Sequence, residues 1–341
     1  MSKLRYILFP FALLYALVTE VRNFLFDTKI FKFTAFDVPI INVGNLRVGG
    51  TGKTPMIEYL IRLLQPEFKV AVVSRGYKRK TKGIVLADAQ STASSIGDEP
   101  FQIYQKFPDI TMVVGANRVV AVQHLLQIQK PDVILLDDAF QHRWIDAGFN
   151  ILLTAYNQVF SKDFILPVGD LRECRKSARR ADVVVVSKIP DTPSFDREKV
   201  VHSIQKYTSK PVFFSKIVYD DYIYSNDNRL KISEITDYKI LLVTGIAVMQ
   251  PLLSFIKEKN INFVNLSFGD HHRYNQADVK RIQGAFSRIQ AENKLILTTE
   301  KDFVRLHPLL KQDLYYLPIR AEVIDNELFN NKILAYVSTK K

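Results

Sequence analysis

Val43-Gly44-Asn45-Leu46-Arg47-Val48-Gly49-Gly50-Thr51-Gly52-Lys53-Thr54-Pro55 follows the apolar run 39–43 and precedes Ile57, Leu60, Ile61 and Leu64, which share one helical face. Strand, glycine-rich loop and helix therefore come in the order a phosphate-binding loop requires. Glycines at 49, 50 and 52 let successive backbone N–H groups turn toward an anion at the start of the helix. Lys53 and Thr54 stand where a P-loop places an ammonium on the terminal phosphates and a hydroxyl on Mg²⁺. The generic pattern has glycine where this chain has Arg47, so the context carries the assignment: a buried strand before the loop and Pro55 in the first helical turn. Arg47, Val48, Gly49, Gly50, Thr51, Gly52, Lys53 and Thr54 are the candidate nucleotide contacts.

Working outward, 341 residues are enough for two α/β domains with separate cores. The net charge of +12 is grouped, at Arg75, Lys78, Arg79, Lys80 and Lys82 and at Arg172, Arg175, Lys176, Arg179 and Arg180. Such clusters suit anionic lipid headgroups, phosphorylated substrates or nucleic acid, or form a solvated basic face. Cys174 is the only cysteine, which excludes an internal disulfide and a multi-thiolate zinc site and fits a reducing cytosol. The apolar run 7–18 is too short to cross a bilayer, which takes about 20 residues. A small-x-small cleavage site does not follow it. It reads as a helix lying in the membrane interface with Tyr6 and Tyr15 at headgroup level, the alternative being a buried helix of a soluble core.

Apolar runs at 70–73, 110–114, 133–136, 151–153 and 183–186 alternate with helical stretches such as 118–129 and predict buried parallel strands of a doubly wound sheet. A strand leaving this unit is expected after Pro211, with the boundary near residue 225. A second α/β series then runs through strands at 240–243, 263–268 and 295–298, with helices at 250–259 and 277–289 and Asn275 as N-cap. The run 314–319 is expected as a last strand of this second sheet, ahead of a closing helix. The predicted organisation is an interfacial helix region at 1–36, a P-loop domain at 37–225 and a second α/β domain at 226–341.

Val133-Ile134-Leu135-Leu136-Asp137-Asp138 has the form of a Walker B strand, whose terminal carboxylates can hold Mg²⁺ against phosphates if the chain turns after Leu136. Gly97-Asp98-Glu99-Pro100 places two acids before a helix, and Asp98 is a candidate base for an attacking hydroxyl; the other reading is helix capping. Asp270-His271-His272 follows a second-domain strand, where a histidine faces a ligand crevice or belongs to an ordinary polar loop; a zinc site there lacks further ligands at metal spacing. Ser74-Arg75-Gly76-Tyr77, Arg118, the segment 166–173 with Arg172 and Glu173, and Thr299-Glu300-Lys301-Asp302 are polar groups at strand ends, able to bind phosphate or sugar or to serve as plain loop residues.

Taken in order, Gly44-Asn45-Leu46 through Pro55, Ser74-Arg75-Gly76-Tyr77, Gly97-Asp98-Glu99-Pro100, Asp137-Asp138-Ala139-Phe140-Gln141-His142, Asp270-His271-His272 and Thr299-Glu300-Lys301-Asp302 resemble the tetraacyldisaccharide 4'-kinase family of lipid A biosynthesis over nearly the whole chain. The resemblance implies two α/β/α domains joined by a two-stranded linker, the first P-loop NTPase-like. It implies ATP- and Mg²⁺-dependent transfer of the γ-phosphate to the 4'-hydroxyl of an acylated glucosamine disaccharide 1-phosphate, giving lipid IVA at the cytoplasmic face of the bacterial inner membrane. On that pattern Asp98 is the base, assisted by His271; Lys53 and Thr54 contact the nucleotide; Asp137 and Asp138 hold the metal. Asn45, Arg75, Arg118, Gln141, His142, Arg172 and Glu173 are candidate substrate contacts. Ala139 and Asp170 depart from the glycine and proline usual at their places. Neither nucleic acid nor an obligate protein partner is expected. A partitioning ATPase would need a water-positioning residue and switch loops, and a nucleic-acid module would need aromatics among the basic groups, of which Tyr77 is thin support; the kinase is ranked first.

Overall fold

The computed structural model describes residues 3–192, 195–270 and 272–339. A 3-10 turn over Lys3–Leu8 runs into α1 (Phe9–Asp27), and β1 (Ile40–Asn45) leads through the glycine-rich loop into α2 (Lys53–Leu64). There follow β2 (Val70–Ser74), β3 (Val85–Leu86), α3 (Ala93–Ile96), α4 (Asp98–Lys106), β4 (Thr111–Val114) and α5 (Arg118–Ile128). β5 (Val133–Asp137), β6 (Phe149–Ala155), β7 (Val183–Ser187), α6 (Arg197–Gln205) and β8 (Val212–Tyr219) complete this stretch. A second lobe contains β9 (Tyr222–Tyr224), β10 (Arg229–Lys231), β11 (Lys239–Thr244), α7 (Gln250–Glu258), β12 (Asn262–Ser267) and α8 (Gln276–Ser287). It continues through β13 (Lys294–Thr299), α9 (Glu300–Leu306) and β14 (Leu314–Leu317), after which come β15 (Ile319–Ile324) and α10 (Asn326–Ser338).

Among the described residues the larger sheet has nine strands in the order β15-β8-β7-β6-β1-β5-β2-β4-β3. Its interior pairs are parallel, and β3 and β15 are antiparallel edges. Strands buried on both faces must be apolar throughout, which is why they stand out as unbroken runs. Ile41, Val43, Leu135 and Leu153 pack with α2 and α10, whereas Ile40, Ile134 and Leu136 pack with α5 on the opposite face. β1 lies between β5 and β6, so the chain winds to one side of it and then to the other; the carboxyl end of β1 is therefore a topological switch point, where a crevice opens.

The second lobe is a six-stranded sheet in the order β10-β9-β14-β13-β11-β12, covered by α7 on one face and by α8 and α9 on the other. The expected strand 314–319 is two strands. Pro318 ends β14, and the chain turns back as β15 to pair antiparallel with β8 in the larger sheet. The closing helix likewise corrects the 226–341 assignment: Phe329, Ile333 and Val337 of α10 are fully buried against the first sheet. The chain thus leaves through β8 and returns through β15, a two-stranded connection between the lobes.

The amino-terminal helix is longer than the run 7–18. Residues 5–27 are helical, so the helix outruns the apolar stretch 7–18 and by length and composition alone would reach across a bilayer. Its amphipathy is inverted relative to a soluble core helix. The inward stripe is Ala12, Thr19, Asn23 and Phe26, while Phe11, Leu13, Leu14, Leu17, Val18 and Phe24 are each more than half exposed. Asn23 and Arg22 reach Glu173, and Trp144 stacks on Phe31 at the far end.

Candidate active site

The loop after β1 is shaped by its glycines and held from behind. Gly52 is the N-cap of α2 at φ 85°, in the left-handed region where a side chain is strained. Gly44 lets β1 approach the chain after β5, since a Cβ there would lie 2.5 Å from Phe140 Cβ. Asn45 Nδ2 donates to Thr51 Oγ1 at 2.7 Å, Ser187 Oγ donates to the Thr51 carbonyl at 2.7 Å, and Lys188 Nζ donates to the Gly50 carbonyl at 2.7 Å. No side chain caps α2, so its first N–H groups and the positive end of its dipole remain for an anion.

Arg47 does not turn toward this cradle. Its guanidinium lies 3.3 Å from Asp163 Oδ2 and 2.6 Å from Asp170 Oδ2, tying the loop to the segment that carries Arg172. Asp170, the departure from the usual proline, is therefore the partner of Arg47, where the generic P-loop pattern has glycine; it also accepts from Arg5.

Two carboxylates stand at the end of β5. The turn comes after Asp137: Asp138 has φ 52°, which swings its side chain toward Lys53, 3.8 Å from Oδ2, and toward Arg172, 2.8 Å from Oδ1. Asp137 is buried, and Ser74 Oγ donates to its Oδ2 at 2.8 Å. Burial, reinforced by the charges of Glu99 and Asp138, pushes its carboxyl up to about 7. Burial acts in the same sense on Asp138, but Lys53, Arg172 and Arg118 outweigh it and hold that carboxyl below its usual range. Asp137 Oδ1 is buried without a hydrogen-bond partner among the described residues, the condition of a ligand atom awaiting a cation. Among the described residues no three His, Cys, Asp or Glu close into a metal cage. The donor set of Asp137, Asp138 and Thr54 thus fits Mg²⁺, which binds through one or two carboxylates with phosphate oxygens and water.

Several candidate substrate contacts also brace the loops around the crevice. Arg118, 3 % exposed, donates to the carbonyls of Gly115, Ala116, Asp137 and Asp138 and so clamps the turn after β5. His142 Nε2 accepts from the Arg118 amide; burial, with the charges of Arg118 and Arg75, lowers its pKa to about 4. Gln141 donates to the Asn45 carbonyl, as does Arg172. Glu173 is fully buried between Arg22, Asn23 and Arg180, so it anchors α1 and is closed to a ligand, a correction to its assignment. Arg75 is exposed beside the crevice. The second basic cluster lies against α1, with Lys176 paired to Glu20 and Arg179 to Asp27.

Asp98 opens α4, and the adjacent Glu99 is close enough for its charge to act on Asp137, which places this helix end at the P-loop crevice. Asp98 also lines an inter-lobe cavity of about 530 Å³ together with Lys78, Lys80, Arg273 and Tyr274. His271 lies outside the described residues; its neighbour His272 pairs with Asp278 at 2.9 Å. Arg305 of α9 escaped the sequence reading, although it donates to Asp98 from the second lobe. Its only sequence signal is its place one helical turn after Thr299-Glu300-Lys301-Asp302.

Comparisons with known proteins bear on this arrangement. The family model for tetraacyldisaccharide-1-P 4'-kinase matches residues 4–338. A protein of Flavobacterium johnsoniae named tetraacyldisaccharide 4'-kinase is 50 % identical over 99 % of this chain and 98 % of its own length. One of the same name from Bacteroides thetaiotaomicron is 44 % identical over 97 % of this chain and 92 % of its own length. The crystal structure of LpxK from Aquifex aeolicus in complex with ATP superposes with a TM-score of 0.81 at 29 % identity, covering 98 % of this chain and 99 % of that one. With its P-loop, paired strand-end carboxylates and two α/β lobes, the chain belongs to the tetraacyldisaccharide-1-P 4'-kinase family.

Proposed function

We propose that this protein transfers the γ-phosphate of ATP to the 4'-hydroxyl of a tetraacylated glucosamine disaccharide 1-phosphate, producing lipid IVA at the cytoplasmic face of the inner membrane. The observation that carries the reading is the 3.8 Å approach of Lys53 to Asp138 beside the uncapped start of α2. Ammonium, helix N-terminus and carboxylates there suit a nucleotide's terminal phosphates and their counterion. Family membership supplies the acceptor, and the ATP complex of the Aquifex relative supports the donor.

Lys53 and the amides of residues 49–54 bind and orient the β- and γ-phosphates and stabilise charge as the phosphoryl group leaves. Asp137, Asp138 and Thr54 would hold Mg²⁺, which supplies charge neutralisation on the phosphate oxygens. Asp98 accepts the acceptor's 4'-hydroxyl as a hydrogen-bond donor, aligns it and takes its proton as the O–P bond forms, His271 assisting. The exposed apolar face of α1, with Trp144 and the basic residues beside it, suits contact with a bilayer that holds the acyl chains.

Incubation with γ-labelled ATP and the disaccharide 1-phosphate should put label on lipid. Lys53→Ala should abolish transfer, and Asp98→Ala should slow it with ATP binding retained. ATP consumption at the same rate with and without the lipid would overturn the proposal.

A further inference from the structure

We propose that Arg305, carried by the second lobe, is the positioning residue for Asp98, and that pairing of α4 with α9 delivers it. The inference rests on the reading of Asp98 as the group that receives the acceptor hydroxyl.

α4 begins with Asp98 and ends with Lys106; α9 begins with Glu300 and carries Arg305 in its last turn. Arg305 Nε and Nη2 donate to Asp98 Oδ2 at 2.9 and 2.6 Å, and at the other end Lys106 Nζ lies 2.6 Å from Glu300 Oε1. The two helices therefore lie side by side in opposite senses, the acidic start of each against the basic end of the other. That charge match complements both helix dipoles and admits one register.

Both bonds from Arg305 end on the same oxygen. Oδ2 is held from one side, and among the described residues nothing bonds to Oδ1, which is left for a hydroxyl. A carboxylate held in this way aligns an acceptor, which is the main demand of phosphoryl transfer, where little proton movement precedes the transition state. Arg305 is itself held: its side chain is 10 % exposed and Asp302 Oδ1 stands 4.0 Å from Nη1. Asp302 Oδ2 in turn accepts from the Gly245 amide and from Thr299 Oγ1, both at 2.8 Å. The segment Thr299-Glu300-Lys301-Asp302 thereby acquires a task, since Thr299 caps α9, Glu300 takes Lys106 and Asp302 backs Arg305. A planar guanidinium supplies two donors in a fixed fork, whereas a lysine ammonium supplies rotatable donors on a compact charge.

The test is a double-mutant cycle on lipid phosphorylation by the full-length enzyme, using Arg305→Met, Asp98→Ala and the combination. Arg305→Met should lower kcat by about tenfold or more while KM for ATP and for the disaccharide stays within about twofold. Asp98→Ala/Arg305→Met should be no slower than Asp98→Ala, because the guanidinium has nothing left to orient. Arg305→Lys, which keeps charge and stem, should recover part of the loss and guards against misfolding of the methionine variant. Glu300→Gln removes the charge at the other end of the helix pair but keeps an oxygen to accept from Lys106, so the register of α4 on α9 holds and kcat should stay within about threefold. The inference falls if the two losses multiply in the double variant, if the loss lies in KM, or if Glu300→Gln is as slow as Arg305→Met. Normal turnover by Asp98→Ala would instead remove the underlying assignment of the base, and a wild-type enzyme that leaves the lipid unlabelled would remove the proposed function.

Discussion

Gly44 sets how closely β1 can approach the turn that carries the paired carboxylates. A methyl group there would meet Phe140 Cβ at 2.5 Å and the Phe140 amide nitrogen at 3.0 Å, and the backbone partner cannot yield without moving Asp138. Gly44→Ala should therefore cost about 1–3 kcal/mol of stability, the range for an overpacked core position, and lower turnover as well. Chemical denaturation measures the first; an unchanged midpoint would show that the loop after β5 is softer than its contacts indicate. His142 offers a complementary test in pH. Its folded-state pKa, about 4, lies below the ordinary 6.5 because burial and the Arg118 and Arg75 charges disfavour the imidazolium. The unfolded chain binds the extra proton first, so the contribution is intact above pH 6.5 and is lost as pH falls toward 4. His142→Gln should flatten that part of the acid-unfolding profile, and a variant whose Tm falls as steeply as wild type over this window would place the acid sensitivity elsewhere.

At the level of elements, α1 couples a polar anchor to an apolar outer face. Arg22 and Asn23 hold the fully buried Glu173, while Leu13, Leu14 and Leu17 are 57 to 60 % exposed. Replacing these three leucines with glutamine should leave thermal stability unchanged and reduce partitioning onto lipid vesicles at least about a hundredfold, since each buried leucine contributes about 1.5–3 kcal/mol. Flotation with vesicles reads this directly, and undiminished binding would move the membrane contact to the basic loops. The apolar stretch was legible in the sequence because no polar residue interrupts it, but the helix continues through Thr19 and Asn23, whose polarity serves the packed side. The parallel strands were legible for the same reason: burial on both faces leaves an unbroken apolar run. Which sheet a strand joins is a non-local matter, so residues 319–324 read as part of the second lobe although they pair with β8. The site divided in the same way. The P-loop and strand-end acids announce themselves by local pattern, whereas the pairing of Arg305 with Asp98 spans 207 residues and the anchoring of α1 by Glu173 spans about 150, with no local trace.

The whole molecule is joined by the β8–β15 connection and by side chains that cross between the lobes. Lys106 is the central one. Its ammonium lies 2.7 Å from Glu58 of the P-loop helix and 2.6 Å from Glu300 of α9, and Arg62 shares the same Glu58 oxygen. Burial works against its charge, yet the two carboxylates prevail and raise its pKa, while burial and the nearby Glu58 push Glu300 up to about 7. The P-loop helix, the helix that begins with Asp98 and the second lobe thus share one ionic contact, so removing its central ammonium should loosen the docking of the lobes. Removing only the ammonium strands the Glu300 carboxylate away from water, and Lys106→Met should cost about 3–5 kcal/mol, the range for breaking a buried pair. Removing both partners leaves no orphaned charge on the second lobe, and Glu58 keeps Arg62, so Lys106→Met/Glu300→Met should be more stable than Lys106→Met alone. Urea unfolding of the two variants, with hydrogen exchange across α9 to report docking of the lobes, decides the matter. If the second substitution adds to the damage of the first, the cluster acts through packing volume, and the ionic account of how the lobes are held is wrong.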